Sequence, residues 1–323
     1  MDRLTNLFIS IVAALCLASC SNQSPEEAAE RYPEDQVSLI VPFATGGASD
    51  VVSRAVAMAM EEELGVPVVV VNKTGGVGAI GVYDVMMANA DGYRIGYVPV
   101  ELVMYDGLQI ASISPYEFAY ISRLMEIPAA ITVSADAPYN TLDEFITYAK
   151  EHPGELQIGN SGTGSIWHIA AGALAQEAGV EFNYVPFEGA APAVGSLLGG
   201  HIDAVSVSPS EVKTGLDSGD LKLLGVMGNE RDPVVPDVPT MKEQGYDVVL
   251  GGWGGFVAPK DTPEEIIAAL DAAIEKSMET ETFQTLAESR GLTPAYLPGQ
   301  AFEAFAVEQY EFFNELIPSI EME

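Results

Sequence analysis

The chain has 323 residues, 47 of them acidic against 14 basic, for a formal net charge of −33. That length suits one two-lobed unit or two domains around a large core, and that charge repels phosphates, which disfavours nucleic acid as a partner. Cys16 and Cys20 are the only cysteines, so the chain beyond them has no disulfide, thiol nucleophile or cysteine metal site, and no metal or other cofactor is expected.

In chain order, residues 1–20 read as a secretory leader: Arg3, then an apolar run over 7–17, then Leu17-Ala18-Ser19-Cys20. The run is too short for a comfortable membrane span. Its ending resembles a bacterial lipobox, which makes Cys20 the expected lipid attachment point. Residues 21–35 are polar and read as a tether. A strand is predicted over Val37–Val41, an amphipathic helix over 50–64, and a strand over 67–71. A helix over 79–89 leads to a strand over 93–98, and strand-like runs follow at 118–124 and 129–134. Thr141 caps a helix running to Glu151, and strands at 156–160, 182–185, 202–207 and 221–226 alternate with helices at 165–178 and Ala190–Leu198. A Gly-rich strand over 248–257 precedes helices starting at Pro263, Thr282 and Gln300. The alternation predicts an α/β fold of two doubly wound lobes with mostly parallel sheets and a ligand cleft between them. The boundaries are 36–128 with 229–323 for one domain and 129–228 for the other.

Two loops carry the functional signal. Residues 40–50 read Ile-Val-Pro-Phe-Ala-Thr-Gly-Gly-Ala-Ser-Asp, a strand running through glycines into a helix, where free N–H groups and the helix dipole favour an anion. Phe43, Ala44, Thr45, Gly46, Gly47 and Asp50 are the candidates here; an unpaired Asp50 would repel a bound acid, so it either caps the helix or meets an amine, hydroxyl or water. The second loop is Ser161, Gly162, Thr163, Gly164 and Ser165, followed by a helix bearing His168, which could face the cleft or be a satisfied structural histidine. Together the loops would grip a carboxylate from two sides.

Two motifs read as decoys. Gly76-Val77-Gly78-Ala79-Ile80-Gly81 matches the dinucleotide fingerprint, with Glu101 near the spacing of a ribose-binding acid. The turn before it is too long, Pro99 interrupts the strand that would present Glu101, and an exported protein meets little nicotinamide cofactor. The trio Ser161, His168 and Asp203 invites a hydrolase reading, yet no nucleophile elbow surrounds Ser161.

Eight ordered landmarks then line up: residues 40–50, 64–72, Ala-Asp-Gly-Tyr at 90–93, Ser-Gly-Thr-Gly-Ser-Ile-Trp-His at 161–168, Val-Pro-Phe-Glu-Gly at 185–189, Leu-Leu-Gly-Gly-His-Ile-Asp at 197–203, Pro-Asp-Val-Pro-Thr at 236–240 and Trp-Gly-Gly-Phe-Val-Ala-Pro at 253–259. In that order they resemble the substrate-binding receptors of tripartite tricarboxylate transporters, the Bug-type receptors. The resemblance implies a periplasmic-binding-protein type II-like fold that closes about a hinge on a small mono-, di- or tricarboxylate. It implies delivery to a sodium-coupled membrane carrier with large and small subunits, an extracytoplasmic location and no catalysis. It adds Phe187 and Ser208 to the ligand-binding candidates. Family members often have a basic residue where this chain has Glu188; if Glu188 faces the ligand, a second anionic group is disfavoured. The acidity predicts a protein suited to strong salt, where the Debye length is about 3 Å at 1 M. The rival readings are a lipid-anchored hydrolase acting on an acid or ester, and a ligand sensor feeding a signalling partner.

Overall fold

The computed structural model describes residues 31–320. The leader, Cys20 and the tether up to residue 30 lie outside the described residues. Strands β1 (Val37–Val41), β2 (Val68–Asn72), β3 (Arg94–Pro99), β4 (Phe118–Pro128), β10 (Gly251–Pro259) and β11 (Pro294–Pro298) form one sheet, in the order β11-β4-β10-β3-β1-β2. Strands β5 (Ala130–Ser134), β6 (Gln157–Asn160), β7 (Asn183–Pro186), β8 (Ala204–Val207) and β9 (Leu221–Val226) form the other, in the order β7-β6-β8-β5-β9. The helices are α1 (Ala48–Leu64), α2 (Ala79–Met86), α3 (Leu142–Glu151), α4 (Ile166–Ala178), α5 (Ala190–Leu198), α6 (Pro209–Ser218), α7 (Glu264–Glu279), α8 (Glu281–Arg290) and α9 (Gly299–Leu316). Among the described residues no helix is long and apolar enough to cross a membrane.

Apolar periodicity makes α1 and fixes which side it buries. Val52, Ala55, Val56 and Met60 face the sheet, while Glu61, Glu62 and Glu63 stay exposed. Burying side chains such as Val56 and Met60 stabilises by roughly 1.5–3 kcal/mol each. Gly65, in the left-handed region at φ 70°, ends the helix with its N–H on the Glu61 carbonyl.

Both sheets are mixed, where the alternation predicted mostly parallel ones. Strand β1 runs parallel to β2 and β3, and β6 runs parallel to β7 and β8. These are the strands joined through helical crossovers. Strand β10 enters antiparallel between β3 and β4, and β5 antiparallel between β8 and β9. Each follows a passage from the other sheet and so enters from the opposite end, a direction that periodicity does not record. Helix α6 and strand β11 were not expected; β11 is an irregular edge strand with a proline at each end.

The two passages between the sheets meet in backbone hydrogen bonds. Ala129 N–H donates to the Leu250 carbonyl at 2.9 Å, Met227 N–H to the Ala129 carbonyl at 2.7 Å, and Leu250 N–H to the Met227 carbonyl at 3.0 Å.

Candidate functional site

The first loop follows β1, and the second follows β6, both at the carboxyl ends of parallel strands, where open α/β sheets bind ligands. Strand β3 and the 3-10 turn after it, Val100–Val103, connect them. Tyr97 of β3 is buried, while Glu101 Oε1 accepts the Ile166 N–H at the start of α4, 3.2 Å away. Tyr97 fits because residue 254 is glycine: a Cβ there would lie 1.7 Å from its hydroxyl oxygen.

The first loop is braced from within. Asp50, 2% exposed, accepts the Gly46 N–H at 2.9 Å, Arg54 Nε at 3.0 Å and Asn72 Nδ2 at 2.9 Å. Asn72 Nδ2 also donates to the Phe43 carbonyl, and the Thr45 hydroxyl donates to Asn72 Oδ1. Burial opposes the Asp50 charge, but Arg54, Asn72 and the Gly46 N–H outweigh it and hold the carboxyl below its usual range. Asp50 is thus the loop's buckle, its carboxylate turned into the loop. What the loop leaves outward is the first turn of α1. Its N-cap is Gly47, with no side-chain capping bond, and first-turn N–H groups have no partner within a helix. Ala44, Thr45 and Gly46 are exposed beside it, and Phe43 is half-buried.

The second loop is braced in the same way by a neutral group. His168 Nδ1 accepts the Gly164 N–H at 3.0 Å, four residues back, as Asp50 does with Gly46. That bond places the imidazole proton on Nε2, and burial lowers the ring's pKa. His168 is 2% exposed, its ring lies edge-on to Tyr184 at 4.7 Å between centroids, and its Nε2 is buried with no hydrogen-bond partner in the protein. The Ser165 hydroxyl caps α4 by accepting the His168 N–H. Asn160 Oδ1 accepts the Gly162 N–H at 2.9 Å. Asn160 Nδ2 is buried with no protein partner, on a side chain 0% exposed. Ser161 is half-buried and Thr163 exposed.

Of the remaining candidates, Phe187 joins the second loop through its N–H on the Asn160 carbonyl, 3.0 Å away. Ser208 is fully buried, and its N–H and hydroxyl both bond Glu211 Oε2, so its hydroxyl donor is engaged within the protein. Glu188 is exposed. The Gly76–Gly81 decoy resolves as packing: a Cβ on Gly81 would lie 2.7 Å from the Lys73 carbonyl oxygen and 2.8 Å from Pro42 Cα. The hydrolase trio does not assemble. Asp203 accepts the Gln157 N–H at the far end of β6 from Ser161, about 13 Å along the strand.

Sequence reasoning missed Glu101 and Glu211 as neighbours in this region. Glu101 is 4% exposed; burial chiefly, then the charge of Glu211, raises its carboxyl to about 7 against the Ile166 N–H. Glu211 is likewise raised by burial, against its bonds from Ser208. Ser208-Pro209-Ser210-Glu211, a capping box with proline at the first helical position, was the readable signal for α6. No local signal marks Glu101. A cavity of about 950 Å³ lies at the other end of α4, between Ala173, Gln176, Trp253 and Phe305, and takes in none of the loop residues.

A family model described as tripartite tricarboxylate transporter family receptor matches residues 52–322. The chain belongs to that family. It is a family of transport receptors, not enzymes. Protein BugT of Bordetella pertussis is 29% identical over 305 residues, 93% of each chain. The crystal structure of a TctC solute-binding protein from Polaromonas, without ligand, is 40% identical with a TM-score of 0.73, covering 90% of this receptor and 100% of that chain. The structure of MatC from Rhodopseudomonas palustris with bound malate is 27% identical with a TM-score of 0.81, covering 88% of this receptor and 100% of that chain.

Proposed function

We propose that this receptor captures a small organic carboxylate between two lobes and hands it to a membrane carrier with large and small subunits. The observation that carries the reading is the N-terminus of α1, where Gly47 leaves the first-turn N–H groups with no side-chain cap, beside a loop already locked by Asp50. A ligand carboxylate seats there against the Phe43 wall. Ser161, Thr163, Phe187 and the unpartnered Asn160 Nδ2 close on it from the second loop. Malate bound to MatC supports a carboxylate ligand.

The moving units are 36–128 with 229–320 and 129–228, turning about the hydrogen-bonded crossing of Ala129, Met227 and Leu250. The TM-scores fall in the opposite order to the identities, in keeping with lobes that reorient as rigid bodies. The leader ending in Cys20 supports an extracytoplasmic, lipid-anchored protein, held by more than one contact because a single chain binds membranes weakly. The net charge of −33 supports a protein suited to strong salt.

A thermal-shift screen of mono-, di- and tricarboxylates at high salt tests the reading, since a ligand that binds only the folded state raises the melting temperature. A shift with an organic acid is expected. Shifts confined to cationic or neutral solutes would overturn it.

A further inference from the structure

One sheet is bounded by β11 and β2, the other by β7 and β9. A sheet edge leaves backbone donors and acceptors open to pairing, and charges, prolines and bulges are what blunt it. Strand β11 has a proline at each end and a break in its register with β4. Strand β7 is short and ends on Pro186. Strand β9 carries Lys222, breaks register against β5 and bridges Thr240 through Val226. Strand β2 has none of these devices: it reads Val-Val-Val-Val-Asn and pairs with β1 in unbroken register. The Pro67 carbonyl and the Lys73 N–H both bond β1, so Val68, Val70 and Asn72, on the alternate phase, turn their backbone groups outward. One outward donor is covered, the Val68 N–H, which bonds Glu61 Oε1 at 3.0 Å.

Apolar side chains flank this edge. Val69 and Val71 are 39% and 36% exposed, and Ile80, Tyr83 and Met87, one face at helical spacing along α2 and its C-cap, are half exposed or more. Helix α2 lies against the chain that leaves β2: a Cβ on Gly81 would meet the Lys73 carbonyl oxygen, and Ile80 packs over Gly75. Asp84, the charged residue of α2, is held by Lys73 and Arg94. On a chain with a net charge of −33 this is an apolar island whose acid is paired. We propose that β2 is the seam of a homodimer, pairing antiparallel with β2 of a second copy about a two-fold axis at Val70.

A second copy fits because the edge is complementary to itself. Centred on Val70, the antiparallel register sets Val70 opposite Val70, Val69 opposite Val71 and Val68 opposite Asn72, so no charge faces a charge within the seam. The outward groups of the two Val70 residues exchange both bonds, and the Asn72 N–H reaches the Val68 carbonyl of the second copy, which leaves Glu61 its bond to the Val68 N–H. Val69 and Val71 meet in the closer, non-hydrogen-bonded pair, with the α2 faces beside them. The axis also sorts the charges. Glu61, Glu62 and Glu63 end α1 beside Val68, whereas Arg54, bonded to Asn72 Oδ1 at 2.8 Å, and Lys73 lie at the other end of β2. Antiparallel pairing brings the acidic end of one copy to the end of the other that carries Arg54 and Lys73. Salt screens the repulsion that remains between two such acidic bodies. The seam ends on Asn72, whose side chain braces Phe43 and Asp50, so it adjoins the first loop.

The test is sedimentation equilibrium of the full chain at high salt, over a wide range of concentration. Cys16→Ser and Cys20→Ser form the background, so that no lipid or native thiol contributes. A monomer–dimer equilibrium is expected. Val69→Lys, at an exposed position, should weaken it at least tenfold and leave the melting temperature near that of the background. Val70→Cys tests the register. Hydrogen-bonded partners in an antiparallel pair have Cα atoms about 5.5 Å apart, within the span of a disulfide, so mild oxidation should give a covalent dimer. Lys150→Cys, exposed on α3, should give none. The disulfide carries the test if the lysine variant does not fold. A protein that stays monomeric throughout, or a dimer that Val69→Lys leaves intact and Val70→Cys does not bridge, overturns the proposal.

Discussion

The two strand–glycine–helix loops are built alike and finished differently. In each, a side chain four residues beyond a glycine turns back to take that glycine's N–H: Asp50 on Gly46 in one, His168 on Gly164 in the other. In the first loop the brace is an anion balanced by Arg54 and Asn72, and the helix terminus beside it has no side-chain cap. In the second the brace is a neutral imidazole, and the terminus holds Ser165 and the carboxyl of Glu101. The lesson is that a loop motif fixes a shape, while the groups brought to it by the rest of the fold decide which of its donors stay free.

The largest effect should come from making the first loop resemble the second. Gly47 has φ −75° and ψ 168°, and a Cβ there would lie 3.8 Å from the nearest atom, the Ala44 carbonyl oxygen, so Gly47→Asp fits. It supplies an N-cap carboxylate, and Asp exceeds Gly at this position by a few tenths of a kcal/mol. Ligand affinity should fall at least a hundredfold in calorimetry, with a melting temperature equal to or slightly above the wild type's. Retained affinity would place the site elsewhere.

Next comes the pH dependence of Glu101. The carboxyl of Glu101 is raised to about 7 by burial and by Glu211, against about 4.3 in an unfolded chain. Between those values the native protein keeps a proton that the unfolded chain has released. This group's contribution to stability therefore falls as pH rises, and the loss is complete above about pH 7. The size is on the order of 4 kcal/mol at 1.36 kcal/mol per unit. His168, lowered by burial, acts oppositely, since stability is lost as pH falls through its unfolded pKa of about 6.5. The difference between Glu101→Gln and wild type removes that background. The variant's melting temperature should gain on the wild type's from pH 5 to pH 8; a constant gap would show that Glu101 does not titrate with folding.

Breaking the buckle of the first loop should cost somewhat less. Asp50→Ala leaves the Gly46 N–H and Asn72 without their acceptor, worth about 2 kcal/mol for bonds to a charged group, with Arg54 half in water adding little. Denaturant unfolding should show that loss together with weaker ligand binding. Unchanged stability with intact binding would mean that the loop holds its shape without Asp50. The smallest effect expected is the general one. With a net charge of −33, added salt should raise the melting temperature by screening self-repulsion, and a melting temperature indifferent to salt would count against an adaptation to strong salt.

How much of this was legible in the sequence follows from how local each signal is. The two loops were readable because strand, glycine and helix start lie within a dozen residues of each other. The signature of α6, Ser208 to Glu211, is equally local and was overlooked. The antiparallel entry of β10 and β5 was not readable, because it depends on passages between sheets. Glu101 was misplaced for the same kind of reason. Its spacing from the glycines suggested a ribose acid, whereas its partner is Ile166, in the other half of the molecule. The bracing bonds of Asp50 and His168 to the glycines four residues back were not readable, because the sequence does not show which way a side chain turns.

The central claim is that the uncapped first turn of α1 receives the ligand carboxylate. Backbone amide resonances report it directly, because an N–H that gains a carboxylate acceptor shifts strongly downfield. On titration with a binding carboxylate, the largest shifts should fall on Ala48 and Ser49 in the first turn of α1, while Ile166, already bonded to Glu101, changes little. A large shift at Ile166 with Ala48 and Ser49 unmoved would contradict the account.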